Sequence, residues 1–192
     1  MRAEQAVELG EESPKLEIPW PAAEPDRGYF DLRDDPRAIA RIAPARQHHP
    51  LRAFLVAVNG EDSVFATARC SVSRREPTSA APNPQEFLSE IDFVFAEGQL
   101  NVEQGRFEKL SRRLAELLER EGGADYLSVQ LSLRHCCFAN TPREGFCLSM
   151  QLSAGGATAE QAEVRWGLAL ARVQQALLFL SRVLRQQGHT NY

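Results

Sequence analysis

Two stretches near the end of the chain alternate strictly between apolar and polar positions. Between Tyr126 and Phe138, Leu127, Val129, Leu131 and Leu133 are apolar, while Ser128, Gln130, Ser132 and Arg134 are polar. Phe146, Leu148, Met150 and Leu152 repeat the pattern against Cys147, Ser149 and Gln151. A period of two is the signature of strands with one face buried, so these stretches predict a hairpin. The period then changes. Thr158 followed by Gln161 makes a capping box for a helix that runs to about Gln187, where Gly188 stops it.

Upstream, the pattern is less regular. Asp34 or Asp35 can cap a short helix with Pro36 at its first position, ending near Ala43 before Pro44. Leu51–Asn59 and Ser63–Ser73 read as a second hairpin, turning at Asn59–Gly60, residues that tolerate the positive φ of a type I′ turn. Its apolar residues occupy both faces, which places it mid-sheet or under a cover. A proline-bearing loop over 75–86 precedes a strand near Ile91–Ala96. Asn101 with Gln104 caps a helix to about Arg120, with a stripe of Phe107, Leu110, Leu114, Leu117 and Leu118, ended by Gly122–Gly123.

These elements predict an α+β two-layer sandwich. Its antiparallel sheet has about five strands with two main helices, in the order strand, strand, strand, helix, strand, strand, helix, after a short N-terminal helix. The order hairpin plus helix occurs twice, without a residue-level repeat.

Residues 1–27 stand apart. They hold seven acids against three bases, together with Pro14, Pro19, Pro21 and Pro25. Such a segment buries too little apolar surface to offset its ordering entropy, so it reads as a flexible arm ahead of a single domain over 28–192, removable without loss of stability. Within it, Ile18, Pro19, Trp20 and Pro21 are suited to docking on the domain.

The chain has 192 residues and a net charge of −4. The arm alone accounts for that charge, leaving a neutral body. Twenty of the 22 basic residues are arginine and they are scattered. An acidic arm on a neutral body is a poor electrostatic match for nucleic acid or an anionic membrane. The nearest approach to a membrane span, 164–184, contains Arg165, Arg172, Gln174, Gln175 and Arg182, and reads as a helix of a globular domain. The acids of the first twelve residues interrupt any signal-like apolar core. Four cysteines without a signal point to a reducing cytoplasm.

The last helix carries more apolar surface than one sheet contact needs. Trp166, Leu168, Leu170, Val173, Leu177, Leu178, Phe179, Leu180, Val183 and Leu184 spread over more than one face, and a packed helix needs a stripe of only about 100°. The surplus fits an internal layer, a second copy of the chain or a groove for a peptide, and it makes Trp166 and Leu177 candidate binding residues.

The one dense group of reactive side chains is Arg134, His135, Cys136 and Cys137, with Cys147 on the next strand. Alternation puts Cys136 and Cys147 on one polar face and turns His135 and Cys137 to the apolar side. Two sulfurs converge and two ligands diverge, which is not the four-ligand convergence of a zinc site. Nor can His135 activate Cys136 from the opposite face of the strand. Arg134, Cys136 and Cys147 remain as candidate binding residues. Cys70 alternates with core positions. His48 and His49 read as a loop entering a strand, and Glu90 and Asp92 as a wet strand face. No phosphate-binding loop or dinucleotide fingerprint is present, so neither cofactor nor metal is expected.

The order of elements, together with the acidity, is similar to that of the small acidic chaperones of bacterial type III secretion. That resemblance implies a dimer that binds unfolded segments of other proteins. The expectation is therefore a non-enzymatic interaction, adaptor or chaperone-like domain, homodimeric through the long helix. The alternative is a small-molecule binder or enzyme with a pocket between sheet and helices, using the Arg/His/Cys cluster.

Overall fold

The computed structural model describes residues 1–10, 13, 15–18, 29–75, 83–120, 126–138 and 143–188. Trp20, Gly122 and Gly123 lie outside them. The elements, in order, are β1 (Arg2–Glu8), β2 (Leu16–Ile18), a 3-10 turn (Pro36–Arg41), α1 (Ala43–Gln47), α2 (His49–Val58), β3 (Phe65–Arg75) and β4 (Gln85–Phe95). A second 3-10 turn (Gly98–Val102) then leads to α3 (Gln104–Arg120), β5 (Leu127–Phe138), β6 (Glu144–Gly156) and α4 (Ala159–Gln186). The fold is α+β. One mixed sheet runs β1-β5-β6-β4-β3, with β2 added to β5 beyond β1. Helices α2, α4 and α3 cover one of its faces, α4 lying between the other two.

The predicted C-terminal half is present as read. β5 and β6 pair antiparallel, with Leu131 opposite Met150 and Ser132 opposite Ser149. Thr158 caps α4, its Oγ1 accepting the amide of Gln161 at 3.2 Å, and Gly188 ends the helix at φ 65°. A Cβ on Gly156 would lie 2.5 Å from the Ala162 nitrogen, so only glycine lets β6 fold directly into α4. The core side of α4 carries Trp166, Leu170, Val173, Leu177, Leu180 and Leu184. Trp166 packs 4.7 Å from Phe87, and its Nε1–H donates to Ser89 Oγ at 2.9 Å.

The first half differs from the sequence reading. Leu51–Asn59 is not a strand but the helix α2, with Leu51, Phe54, Leu55 and Val58 buried. Their spacing of three, four and seven is helical, and Pro50 fits the first turn. A run apolar on both faces of a notional strand is equally a buried helix, and here the ten-residue length favours the helix. Asn59 accordingly makes no type I′ turn. It ends α2 at φ −93°, and its side chain ties α2 to β3: Nδ2 donates to Leu55 O and Thr67 Oγ1, while Oδ1 accepts the Thr67 amide at 2.9 Å.

Asn101 behaves in the same way. Rather than capping α3, its amide accepts from Phe95 N at 2.7 Å and donates to Phe95 O at 2.9 Å. The short helix predicted to end at Pro44 is the 3-10 turn capped by Asp35, and Pro44 opens the next helix instead of closing this one. The strand expected over Ile91–Ala96 extends back to Gln85.

The largest departure is at the N-terminus. Arg2–Glu8 is a strand parallel to β5, with Ala3 opposite Val129 and Val7 opposite Leu133, and Leu16–Ile18 continues along the same edge. The sheet is thus mixed rather than wholly antiparallel. An edge strand is held mainly by backbone hydrogen bonds, which no side-chain pattern announces, and most of its side chains are exposed or half-buried. Met1 is buried, Gln5 meets Ser111 of α3 at 3.4 Å, and Glu8 lies 3.3 Å from Arg134.

A chain lacking residues 1–9 should therefore lose at least about 4 °C of melting temperature by calorimetry, since about 1 kcal/mol moves a domain of this size by roughly 2–4 °C. An unchanged melting temperature would show that β1 adds nothing to the stability of the sheet.

Candidate functional site

The register places Arg134, Cys136 and Cys147 together on the sheet face opposite the helices, with Arg134 directly across from Cys147 and Cys136 diagonal to it. The face is not polar at this end. Leu16, Ile18, Ala66, Ala68 and Val94 surround the two sulfurs, both of which are fully buried. Sequence alternation along β5 could not reveal this, because the apolar neighbours come from β2, β3 and β4. Both are free thiols. The hydrogen bond with Cys136, together with burial, raises the Cys147 thiol far above its ordinary value. A thiol so disfavoured as a thiolate is no nucleophile.

The remaining members of the cluster point away. His135 stacks on Phe146 at 5.2 Å on the helix side, and the Cys137 thiol donates to Leu16 O at 3.7 Å. Arg134 is paired with Glu8 and is largely covered. Among the described residues, no three of His, Cys, Asp and Glu are grouped to hold a metal ion.

Toward its other end, the same face is polar. Ser128 and Ser153 share a hydrogen bond at 2.8 Å, and Gln130 lies opposite Gln151. Asp92, expected to be wet, is buried instead. It accepts from Arg69 Nε and from Ser149 Oγ, each at 2.6 Å, and Arg69 lies 3.7 Å from Glu90. Three hydrogen bonds to the Asp92 carboxyl group, two from Arg69 and one from Ser149, offset the cost of burying it. His48 also departs from the loop reading. It precedes α2, its Nδ1 meets Glu163 Oε1 at 2.8 Å, and Arg74 holds the other oxygen at 2.9 Å. With its ring edge-on to Phe87 and Trp166, this trio fastens β3 to α4.

A cavity of about 560 Å³ lies between the 29–44 segment and β3. Its wall is Phe30, Leu32, Ile42 and Leu55, with Tyr29 and Cys70 among its polar groups. Burial, with Asp31 and Asp34 nearby, pushes the Tyr29 hydroxyl up to about 12. Burial and Asp92 push the Cys70 thiol up to about 11. Nothing in the sequence pattern marked this space, because it forms between segments distant along the chain.

Of the two candidates on the long helix, neither is a surface residue: Trp166 and Leu177 are both fully buried. α4 is long and apolar enough by composition to cross a bilayer, but its richer face is the one packed on the sheet. The exposed apolar residues are others. Val164 (58% exposed), Leu168 (63%) and Phe179 (46%) form a ridge on the outward side of α4, with Val56 exposed on the adjoining α2. Steps of 100° per residue separate this ridge from the Trp166–Leu177 side, so the signal was present in the sequence. Which side meets the sheet was not.

These environments set a dependence on pH. Cys70 ionises at about 11 when folded, against 9.0 as its ordinary value. Its contribution is therefore whole below about pH 9 and is lost as pH rises to 11, roughly 2–3 kcal/mol at about 1.4 kcal/mol per tenfold step. The melting temperature should hold to pH 8 and fall from pH 9 to 11, less steeply in Cys70→Ala. In the folded protein at pH 8, iodoacetamide should leave Cys136 and Cys147 unmodified and label all four cysteines in guanidinium; rapid labelling of Cys147 would contradict the burial argument. Comparison with protein-family models, with curated proteins and with solved structures gives no match to this chain.

Proposed function

We propose that this chain is a protein-binding domain of the adaptor or chaperone kind, without catalytic chemistry of its own, acting as a homodimer joined through the outward side of α4. The observation that carries this reading is the ridge of Val164, Leu168 and Phe179. Large apolar side chains aligned on one exposed helix face favour burial against a partner, at roughly 25 cal/mol per Å². The chemistry of the remaining side chains agrees with it: Cys136 and Cys147 are buried as thiols, and the His48–Glu163–Arg74 trio serves packing. Four unpaired thiols suit a reducing cytoplasm.

The 560 Å³ cavity favours a second reading, a small-molecule binder, since pockets of about 300–1,000 Å³ hold such ligands. That site replaces the Arg134, Cys136 and Cys147 cluster in this reading. A bound ligand would appear in native mass spectrometry as added mass that vanishes on denaturation.

The dimer is tested by light scattering during gel filtration. The mass should be twice 21.4 kDa. Leu168→Asp and Phe179→Asp should each return it to 21.4 kDa with little change in melting temperature, because both side chains are exposed in the single chain. Leu177→Asp, by contrast, should unfold the domain. A monomeric wild-type protein would refute the reading.

A further inference from the structure

We infer that the two α4 helices of the dimer cross antiparallel, with the two-fold axis passing between Ala171 and Arg172. This inference rests on the dimer proposed above and goes further, because it fixes which residues meet.

The outward stripe of α4 is unequal along its length. Glu160 stands at its start and Arg182 near its end, both exposed, with Val164, Leu168, Ala171, Arg172, Gln175 and Phe179, also exposed, between them. A two-fold axis between Ala171 and Arg172 turns this stripe onto itself. Val164 of one copy then faces Phe179 of the other, Leu168 faces Gln175, and the first turn bearing Glu160 and Gln161 comes within reach of Arg182. Apolar residues meet apolar or uncharged ones and the acid meets the base, leaving the exposed Arg172 beside its own copy at the axis as the one like-charge approach on this stripe. A parallel arrangement would instead set Arg182 against Arg182 and Glu160 against Glu160, and like charges facing each other oppose association.

The helix ends point the same way. The partial positive charge at the start of each α4 lies beside the partial negative charge at the end of the other only when the helices are antiparallel. At the crossing the exposed side chain of Ala171 is small, which allows helix axes to approach to about 8–10 Å. Val56 of α2 extends the apolar surface beside the ridge. Because the helix layers meet, the polar sheet face bearing Ser128, Gln130, Gln151 and Ser153 points outward on both copies. A dimer of this form offers two equivalent polar faces on opposite sides.

Charge reversal tests the pairing in the full chain. By sedimentation equilibrium at low salt, Glu160→Arg and Arg182→Glu should each weaken the dimer about fivefold or more, since each disrupts two symmetric pairs. The double variant Glu160→Arg/Arg182→Glu should return to within about twofold of wild type, and the differences should shrink at high salt. Oxidation of Ala171→Cys should link residue 171 to itself across the axis, identified by peptide mass. Gln161→Cys should not self-link, because antiparallel helices hold the two 161 positions about 30 Å apart. A dimer that self-links at 161, or that the double variant fails to restore, overturns the antiparallel register while leaving the dimer intact. A monomer at every concentration removes both.

Discussion

Burial of one side of α4 against the middle of the sheet organises the rest of the molecule. Trp166, Leu170, Val173, Leu177, Leu180 and Leu184 seal β4 and β6, and the single polar atom they take inside, the indole N–H, is satisfied by Ser89. With α4 so placed, α2 and α3 flank it, each closing the sheet toward one edge. The opposite side of α4 is then necessarily outward. Val164, Leu168 and Phe179 are exposed because the core has taken the other side of the same helix.

Where apolar packing thins, satisfied polar groups hold the parts in place. Asn59 pins the end of α2 to β3, Asn101 pins the second 3-10 turn to the end of β4, and His48 with Glu163 and Arg74 joins β3 to α4. Each is a residue whose side chain would be costly to leave unpaired once covered, and each therefore fixes one arrangement of neighbouring elements. The Asp92–Arg69–Ser149 group does the same for the face away from the helices. Its carboxylate is the most deeply buried charge described, and its partners come from the strands on both sides.

The cysteines illustrate how tertiary surroundings set chemistry. In sequence, Cys136 and Cys147 stand beside an arginine and a histidine and suggest reactivity. In the fold they lie among Leu16, Ile18, Ala66 and Val94, hydrogen-bonded to each other, and the Cys147 thiol is held far above its ordinary ionisation range. They contribute as small apolar residues.

Strict alternation over 126–152 determined β5, β6 and their pairing, because a period of two has one reading when one face is buried. Thr158, Gln161 and Gly188 likewise determined the limits of α4 through their local hydrogen bonds and backbone freedom. Sequence pointed to a strand over Leu51–Asn59, wrongly, since a run apolar on every side satisfies a covered strand and a buried helix equally. It pointed to a flexible arm over Arg2–Glu8, where backbone pairing to β5 outweighs an acidic composition. For Asn101, local spacing pointed to a cap, while the distant Phe95 backbone offered the stronger pair of bonds. Only the tertiary structure decided that Trp166 and Leu177 face the sheet and that Val164, Leu168 and Phe179 face outward. The periodicity of a helix gives the angles between its residues, whereas the direction of the core is set by elements far away in the chain.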